Sequence, residues 1–517
     1  MSLFPTSRRG ALLRFALGAV IVVAFAAATT AVAGLLQFKQ FTAELDRTPA
    51  LKHASVTIAD PGNPQTLLLI GSDHRAGEPW SSANTDTMML VRLDPVSLTI
   101  NVLSIPRDLE VQLPQGGAVG PAKLNAAYSI GGPGLLIKTL QDQVFPSLHV
   151  NHIIDVNFGG FAALVDTVGC VYVDVDHRYY NNTAVTNYSS IDIQPGYQRL
   201  CGSDALAFVR FRHTDTDIVR NARQQDFLRW VKDEFGTSYL ISNRDRLLGI
   251  FGAHTQTDAD LHSIDGLINL FNLVAFSAGH TVKQVPFPAI LQPCDPNGKI
   301  PCYVSADAGA EQQAFQRFMT PTLQQPAGGG GAGGRAAGKP GGGQGGGSAD
   351  LTADPAGGQA QSGALRGAGM PVYYPRVLAS GSSYCSGASG NCPTEIPSSE
   401  SYPRAYQIRD INGTMHPAYH MTLELNPNLG QYYGVQGTTW TDPPILKGTK
   451  QTGTVGGKQL LEYFNGHKLS LVAWRTPGAV YWISNTLTDD LTNRQMVAIA
   501  ASLSPLGPAT RSASGLA

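Results

Sequence analysis

The sequence predicts an α/β protein: one sheet with helices on both faces, behind a single N-terminal transmembrane helix and ahead of a smaller α+β segment. Three observations carry this. Phe15 to Leu36 is a stretch of 22 uncharged residues, and a bilayer-spanning helix needs about 20. Strand-like and helix-like runs alternate between 60 and 240, which is the pattern of an α/β sheet. Glycine fills 13 of the 20 positions 328–347, and so separates two stretches that can each bury a core.

Each element follows in order. Arg8, Arg9 and Arg14 precede the apolar stretch, so residues 1–14 are expected in the cytoplasm, 15–36 across the membrane and the rest outside. Ala31-Val32-Ala33 also fits a cleavage site, so a removed signal peptide stays open. Residues 37–60 read as a stalk. Thr66 to Gly71 is an apolar strand. Met88 to Leu93 and Leu98 to Ser104 are strands joined at Asp94-Pro95. Leu135 to Val144 and Gly160 to Val168 read as helices, Val171 to Val175 as a strand, and Asp204 to Arg210 and Ala222 to Phe235 as helices. These make a domain over 61–320. Residues 321–370 hold almost no large apolar side chains and read as a flexible linker. A second unit is expected over 371–505, with strands at Tyr419 to Leu425 and Leu469 to Trp474 and a helix at Leu491 to Leu503, then a tail at 506–517.

With 37 Lys and Arg against 38 Asp and Glu, the net charge is −1, so no nucleic-acid partner is expected. The six cysteines all lie beyond the apolar stretch, which suits an oxidising compartment. They allow 15 pairings. Pairing near neighbours gives Cys170–Cys201, Cys294–Cys302 and Cys385–Cys392. No C-x-x-C is present, which leaves little for zinc or redox chemistry.

Chemistry concentrates in three segments. Asp73 follows the first strand and Asp86 opens the second. Carboxylates at strand ends are suited to Mg²⁺, which takes one or two of them together with phosphate oxygens and water; a turn or cap role stays open for each. Arg107 directly follows a strand, where a surface ion pair is the alternative. The stretch 210–229 contains five arginines (Arg210, Arg212, Arg220, Arg223, Arg229) and no lysine. Arginine is favoured where bidentate contact to phosphate matters. Arg210 and Arg212 share a side if extended. Arg220, Arg223 and Gln224 share a helical face, with Asp215 and Asp217 ahead of it to cap or orient. An internal Arg/Asp salt-bridge network is the competing explanation.

Together GSDHR (71–75), NTDTMML (84–90), SIPRD (104–108), KLNAAYSIGG (123–132) and GSDALAFVRFRHTDTDIVRNARQQDFL (202–228) resemble, in order and spacing, the LytR-CpsA-Psr proteins, bacterial cell-wall glycopolymer ligases. The resemblance covers about 66–235. It implies a three-layer α/β/α domain outside the membrane. Its implied activity is a phosphotransferase that moves a glycan from a polyprenyl-pyrophosphate carrier onto peptidoglycan or a related cell-wall acceptor. It also implies Mg²⁺ or Mn²⁺ on Asp73 and Asp86, and pyrophosphate held by Arg75, Arg107, Arg210, Arg212, Arg220, Arg223 and Gln224. Arg107, Asp73 and Asp86 become the catalytic candidates. Two other readings stay open: a hydrolase using water as acceptor at the same site, and a non-catalytic envelope regulator that binds glycan or lipid. The intact carboxylate and arginine set argues against the last.

The second unit lacks the usual C-terminal pattern of this family. It loosely resembles small extracytoplasmic α/β domains in which a W-x-x-x-G-x-x-Y strand pair precedes a helix. Trp474, Tyr481 and Trp482 form either a glycan platform or a half-buried strand face.

Overall fold

The structure, a computed structural model, describes residues 51, 56–73, 84–115, 117–182, 190–212, 216–293, 302–320, 350–386, 392, 402–448 and 450–507. The expected membrane span 15–36, most of the stalk, Arg75, Asp215, Cys294 and the glycine run lie outside the described residues. Among those described, no helix is long and apolar enough to cross a membrane.

Apolar side chains run consecutively along the first strands, and because neighbours point to opposite faces they enter two cores. Strands β1 (Gln65–Ser72), β2 (Thr85–Asp94), β3 (Thr99–Ser104), β4 (His152–Asn157), β7 (Thr255–Thr257) and β8 (Thr281–Val285) form one mixed sheet in the order β7-β4-β1-β2-β3-β8. Pairing is antiparallel for β1 with β2 and β2 with β3, and parallel for β1 with β4 and β3 with β8. Leu68, Ile70, Met88, Leu90 and Leu103 pack with Leu136, Phe145, Phe315 and Phe318 on one face. Their neighbours Leu67, Met89, Val91 and Val102 pack with Leu261, Leu270 and Leu273 on the other. Helix α1 (Asn125–Thr139) and helix α6 (Ala308–Met319) cover the first face, and α5 (Ile264–Ser277) the second.

Beside this sheet lies a third core. The hairpin-like pair β5 (Val171–Val175) and β6 (Gly196–Leu200) packs with helices α2 (Phe158–Val168), α3 (Gly202–Arg210) and α4 (Asp217–Glu234) around Val173, Phe208, Phe211, Phe227 and Trp230. Helix α4 starts five residues ahead of the expected Ala222, because Thr216 caps it by accepting from Val219 N. Capping turns the Asp217–Asn221 stretch into a first helical turn. Helix α1 likewise starts ten residues before the expected Leu135. Gly131 and Gly132 leave helical geometry inside it, and the expected segment ends in a short π-helical turn, Leu140–Val144. The Cys170–Cys201 and Cys385–Cys392 bridges are both present, and Cys302 is also disulfide-bonded.

The expected linker is shorter than its composition suggests. Folding resumes at Asp350: Leu351–Ala353 pairs with Val377–Ala379, and helix α7 (Pro355–Ala364) begins with Asp354 accepting from Gly357 N. Glycine here serves close packing rather than freedom. A Cβ on Gly358 would come within 2.6 Å of the Pro375 carbonyl oxygen. The second unit is an antiparallel sheet whose central strands are β9 (Met415–Asn426), β10 (Gln431–Thr438), β11 (Lys458–Asn465), β12 (Lys468–Thr476) and β13 (Ala479–Ser484), paired in the order β9-β10-β13-β12-β11. Helix α8 (Asn493–Ser502) carries a complete capping box, with Thr492 and Gln495 each satisfying the other's backbone.

An antiparallel sheet commonly leaves one face to water, and this one does not. Val472, Trp474, Tyr481 and Ile483 pack with Met496 and Ile499 of α8. The alternate residues Leu471, Ala473, Val480 and Trp482 pack against Tyr172 and Tyr197 of the first unit. Trp474, Tyr481 and Trp482 are therefore all buried. They form no exposed glycan platform, because both faces of their sheet are covered.

At the centre of the interface, Asp174 of β5 accepts from Gln436 Nε2 at 2.6 Å, Trp482 Nε1 at 3.3 Å and Ser484 Oγ. Three donors are what a buried carboxylate needs, although burial still pushes its carboxyl up. Nearby, Asp226 of α4 accepts from Gln284 Nε2 at 2.9 Å and pairs with Arg229, while Asn465 donates both to Gln284 Oε1 and, at 2.9 Å, to Asp489 Oδ2.

Burial, with Asp226 adding to it and Arg229 opposing, pushes the Asp489 carboxyl up to about 7. An unfolded aspartate titrates near ~4. Between about pH 4 and 7 the unfolded chain has released a proton that the folded chain keeps, so this group makes stability fall as pH rises through that window. Asn at 489 keeps an acceptor for Asn465 and tolerates the left-handed backbone there (φ 53°). Asp489→Asn is expected to raise the melting temperature relative to wild type at pH 7.5 and to leave it unchanged near pH 4. Equal differences at both pH values, measured by thermal unfolding, would remove Asp489 from this role.

Candidate functional site

The site forms where β1 and β3 end and β2 begins, beside the end of α3 and the start of α4. Gly71 pairs with Thr87, but Ser72 pairs with Thr85, so Asp86 is the extra residue of a β-bulge. A bulge frees one residue from the ladder and re-aims its side chain. A Cβ on Gly71 would come within 3.1 Å of Thr87 Cβ, so the bulge closes over a residue without a side chain. Asp73, one residue past β1, accepts from Asn84 N at 2.6 Å, and its own N–H donates to Asn84 O. This pins the neck of the loop that contains Arg75.

Asp86 accepts from Arg107 Nη1 with one oxygen and from Arg210 Nη2 at 3.1 Å with the other. The Arg210 guanidinium also lies 3.6 Å over the Phe158 ring. Arg107 extends from the turn after β3. Its N–H donates to Asp217 Oδ2 at 3.1 Å, and its Nε lies 3.6 Å from Asp108. Arg212 donates to Asp108 Oδ2, and Lys123 sits 3.0 Å from Asp108 Oδ1. Asp217, in the first turn of α4, pairs with Arg220 and lies 3.7 Å from Arg212 Nε. Five cations (Arg107, Lys123, Arg210, Arg212, Arg220) thus interlock with three carboxylates (Asp86, Asp108, Asp217), a local surplus of 5 − 3 = +2.

The arginines divide by exposure. Arg107, Arg210 and Arg212 keep 22%, 33% and 30% of their side chains exposed, enough to reach a ligand. Arg220, Arg223 and Gln224 keep 2%, 0% and 6%. Burial pushes the Arg220 guanidinium below its usual value, with Asp217 opposing. Arg223 Nη1 donates to the Phe208 and Phe211 carbonyls, and Gln224 Nε2 donates to Thr87 Oγ1 at 2.8 Å and to the Val209 carbonyl. Arg223 and Gln224 turn towards the end of α3, whereas the equally buried Arg220 turns to Asp217. Lys123 and Asp108 are network members that sequence reasoning did not assign. Both stand inside the quoted motifs, which was the available signal. Behind Asp73, Tyr128 donates to the buried Asp155, and burial together with that carboxylate pushes the Tyr128 hydroxyl far up.

The donors suit a phosphate or pyrophosphate, and the model of the LytR_cpsA_psr family matches residues 33–295, which is 263 of 517 positions. The chain belongs to that family. It is 29% identical over 224 residues to the polyisoprenyl-teichoic acid–peptidoglycan teichoic acid transferase TagV of Bacillus subtilis (strain 168), covering 43% of this chain and 55% of TagV. To the corresponding transferase TagU of Oceanobacillus iheyensis it is 32% identical over 210 residues, covering 39% of this chain and 61% of TagU. The match thus spans little more than half of each relative's length. The crystal structure of B. subtilis TagV covers 50% of this chain and 97% of its own at 25% identity, with a TM-score of 0.41. The matched family segment holds the whole cation–carboxylate network and stops short of the second unit.

Cys170 and Cys201 lie at the end of α2 and the start of α3, the helix that ends in Arg210. The bridge closes 31 residues, for which chain entropy predicts about 3 to 4 kcal/mol of stability. The double variant Cys170→Ser/Cys201→Ser is expected to lose about that much in denaturant unfolding and to lose turnover with it. Unchanged stability and activity would show that the bridge does not brace the site.

Proposed function

We propose that the chain is a membrane-anchored phosphotransferase that moves a glycopolymer from a polyprenyl-pyrophosphate carrier to peptidoglycan or a related cell-wall acceptor. The observation that carries this is the network around Asp86, Asp108 and Asp217, which presents three part-exposed arginines with a surplus of two positive charges. The transferases named among its relatives support the reaction class. The disulfides support an oxidising compartment outside the membrane.

In the reaction, an acceptor hydroxyl attacks the phosphorus that carries the glycan. A new P–O bond forms, the bond to the bridging oxygen breaks, polyprenyl phosphate leaves and the hydroxyl proton is released. Such transfers depend mostly on positioning and charge neutralisation. Arg107, Arg210 and Arg212 hold the pyrophosphate and neutralise the charge that grows on the leaving phosphate. Asp108 and Asp217 orient those arginines. Arg220 and Gln224 brace them from behind.

Asp73 and Asp86 are hard oxygen donors at the ends of adjacent strands, a donor class that fits Mg²⁺ or Mn²⁺. Asp86 would have to exchange Arg107 or Arg210 for the ion. A divalent ion bound there would polarise the pyrophosphate. On binding substrate, Arg107 and Arg210 would pass from Asp86 to phosphate, while Asp108 and Asp217 keep their pairs and hold the arginines in direction.

The test is transfer by the full chain, with Mg²⁺, from a polyprenyl-pyrophosphate glycan to peptidoglycan. Glycan linked to peptidoglycan is expected, and phosphate released without linkage would indicate hydrolysis instead. Arg212→Ala should cut the rate by about 100-fold or more with an unchanged melting curve, and chelation of the metal should stop turnover. Full activity of Arg212→Ala, or of the chelated protein, would overturn the assigned role of that residue or of the metal.

A further inference from the structure

Arg223 belongs to the arginine-rich stretch, but the bonds it makes to the described residues point away from Asp86. Its guanidinium is completely buried, 4.5 Å over the Tyr179 ring. Nη1 donates to Phe208 O at 3.2 Å and Phe211 O at 2.9 Å, and Nε donates to Tyr179 Oη at 3.2 Å. Burying a charge is costly unless its donors are used, and here they are used to hold main chain. Phe211 stands between Arg210 and Arg212, and its ring is itself in the core. Its backbone is extended (φ −55°, ψ 132°). Fixing that peptide therefore fixes the direction in which both exposed arginines leave the chain.

Tyr179 has its own anchor. Its hydroxyl donates to Asp176 Oδ1 at 2.6 Å, which leaves the oxygen free to accept from Arg223. Residues 176–178 are where the second unit lands. Thr422 Oγ1 donates to Asp176 O at 3.1 Å, and Arg178 N donates to Tyr402 Oη at 2.7 Å. The His177 ring lies 4.3 Å from the Tyr432 ring on one side and 4.2 Å from the Tyr179 ring on the other. A continuous stack, Tyr432–His177–Tyr179–Arg223, runs from the second unit to the peptide between the two arginines.

We propose that the second unit is a positioning element for the transfer reaction, acting through this stack on Arg223 and through Arg223 on Arg210 and Arg212. The proposal rests on the function argued above. Donors aimed at charge that develops in the transition state act only if they are held in place beforehand. Loosened arginines still follow a ground-state pyrophosphate, but they lose the additional transition-state interaction. The effect therefore falls on kcat more than on KM.

Two conservative variants of the full chain test this in the glycan-transfer assay. Tyr179→Phe keeps the ring and removes the hydroxyl between Asp176 and Arg223. Thr422→Val lies in the second unit, keeps its shape and removes the hydroxyl that bonds Asp176 O and, within the second unit, His420 Nδ1, and it carries the test if Tyr179→Phe melts near the assay temperature. Tyr179→Phe is expected to lower kcat by about tenfold or more, with KM for the lipid substrate within about twofold of wild type. Thr422→Val should lower kcat in the same sense by about threefold. Wild-type kcat in a folded variant, or a rise in KM with kcat unchanged, overturns the positioning role. Wild-type chain that transfers nothing overturns the proposed function instead.

Discussion

Like charges repel, and five cations within reach of one ligand would drive the site apart if nothing opposed them. At an effective dielectric of about 20, two unit charges 4 Å apart interact by about 4 kcal/mol. Asp86, Asp108 and Asp217 offset this, each shared between two or more cations. Their placement dictates much of the surrounding backbone. The bulge in β2 aims Asp86, the turn after β3 sets Asp108 beside Arg107, and Thr216 starts α4 early enough to put Asp217 under both Arg107 and Arg220. The site is thus assembled as salt bridges first, which an incoming phosphate can exchange at little net cost in charge.

Much of the first unit was legible in the sequence because its signals are local. Continuous apolar runs in 65–104 mark strands with two buried faces, and the five motifs mark the loops that gather at one end of them. Residue type also marked which side chains carry charge to the site. Orientation was not legible. Arg220, Arg223 and Gln224 share a helical face, as their spacing requires, but whether Arg223 and Gln224 look at ligand or at the carbonyls of Phe208, Val209 and Phe211 depends on where α3 packs. A single lysine such as Lys123, at the end of a hairpin strand, has no periodicity to reveal a partner at Asp108.

The second unit shows the other limit of local reading. Glycine, alanine and serine between 350 and 370 look like linker, yet they allow backbones to approach, as at Gly358 against Pro375. Asp174 in VYVDV reads as one polar residue in an apolar strand. Its three donors lie more than 260 residues away in sequence, beyond the reach of any spacing rule. The aromatic residues that suggested a surface platform are buried for the same reason: the face that would have met water meets Tyr172 and Tyr197 instead.

That shared face has a consequence for the glycine-rich run between Thr320 and Asp350. Both of its ends are fixed on units already joined through buried aromatic contacts and the donors around Asp174. The closure cost of such a connection changes only slowly with its length, so lengthening or trimming it alters the fold little. A single proteolytic cut within it would yield two polypeptides that remain assembled. In that sense the chain is like a heterodimer whose subunits are encoded in one frame, the covalent link supplying them in equal number and at high effective concentration.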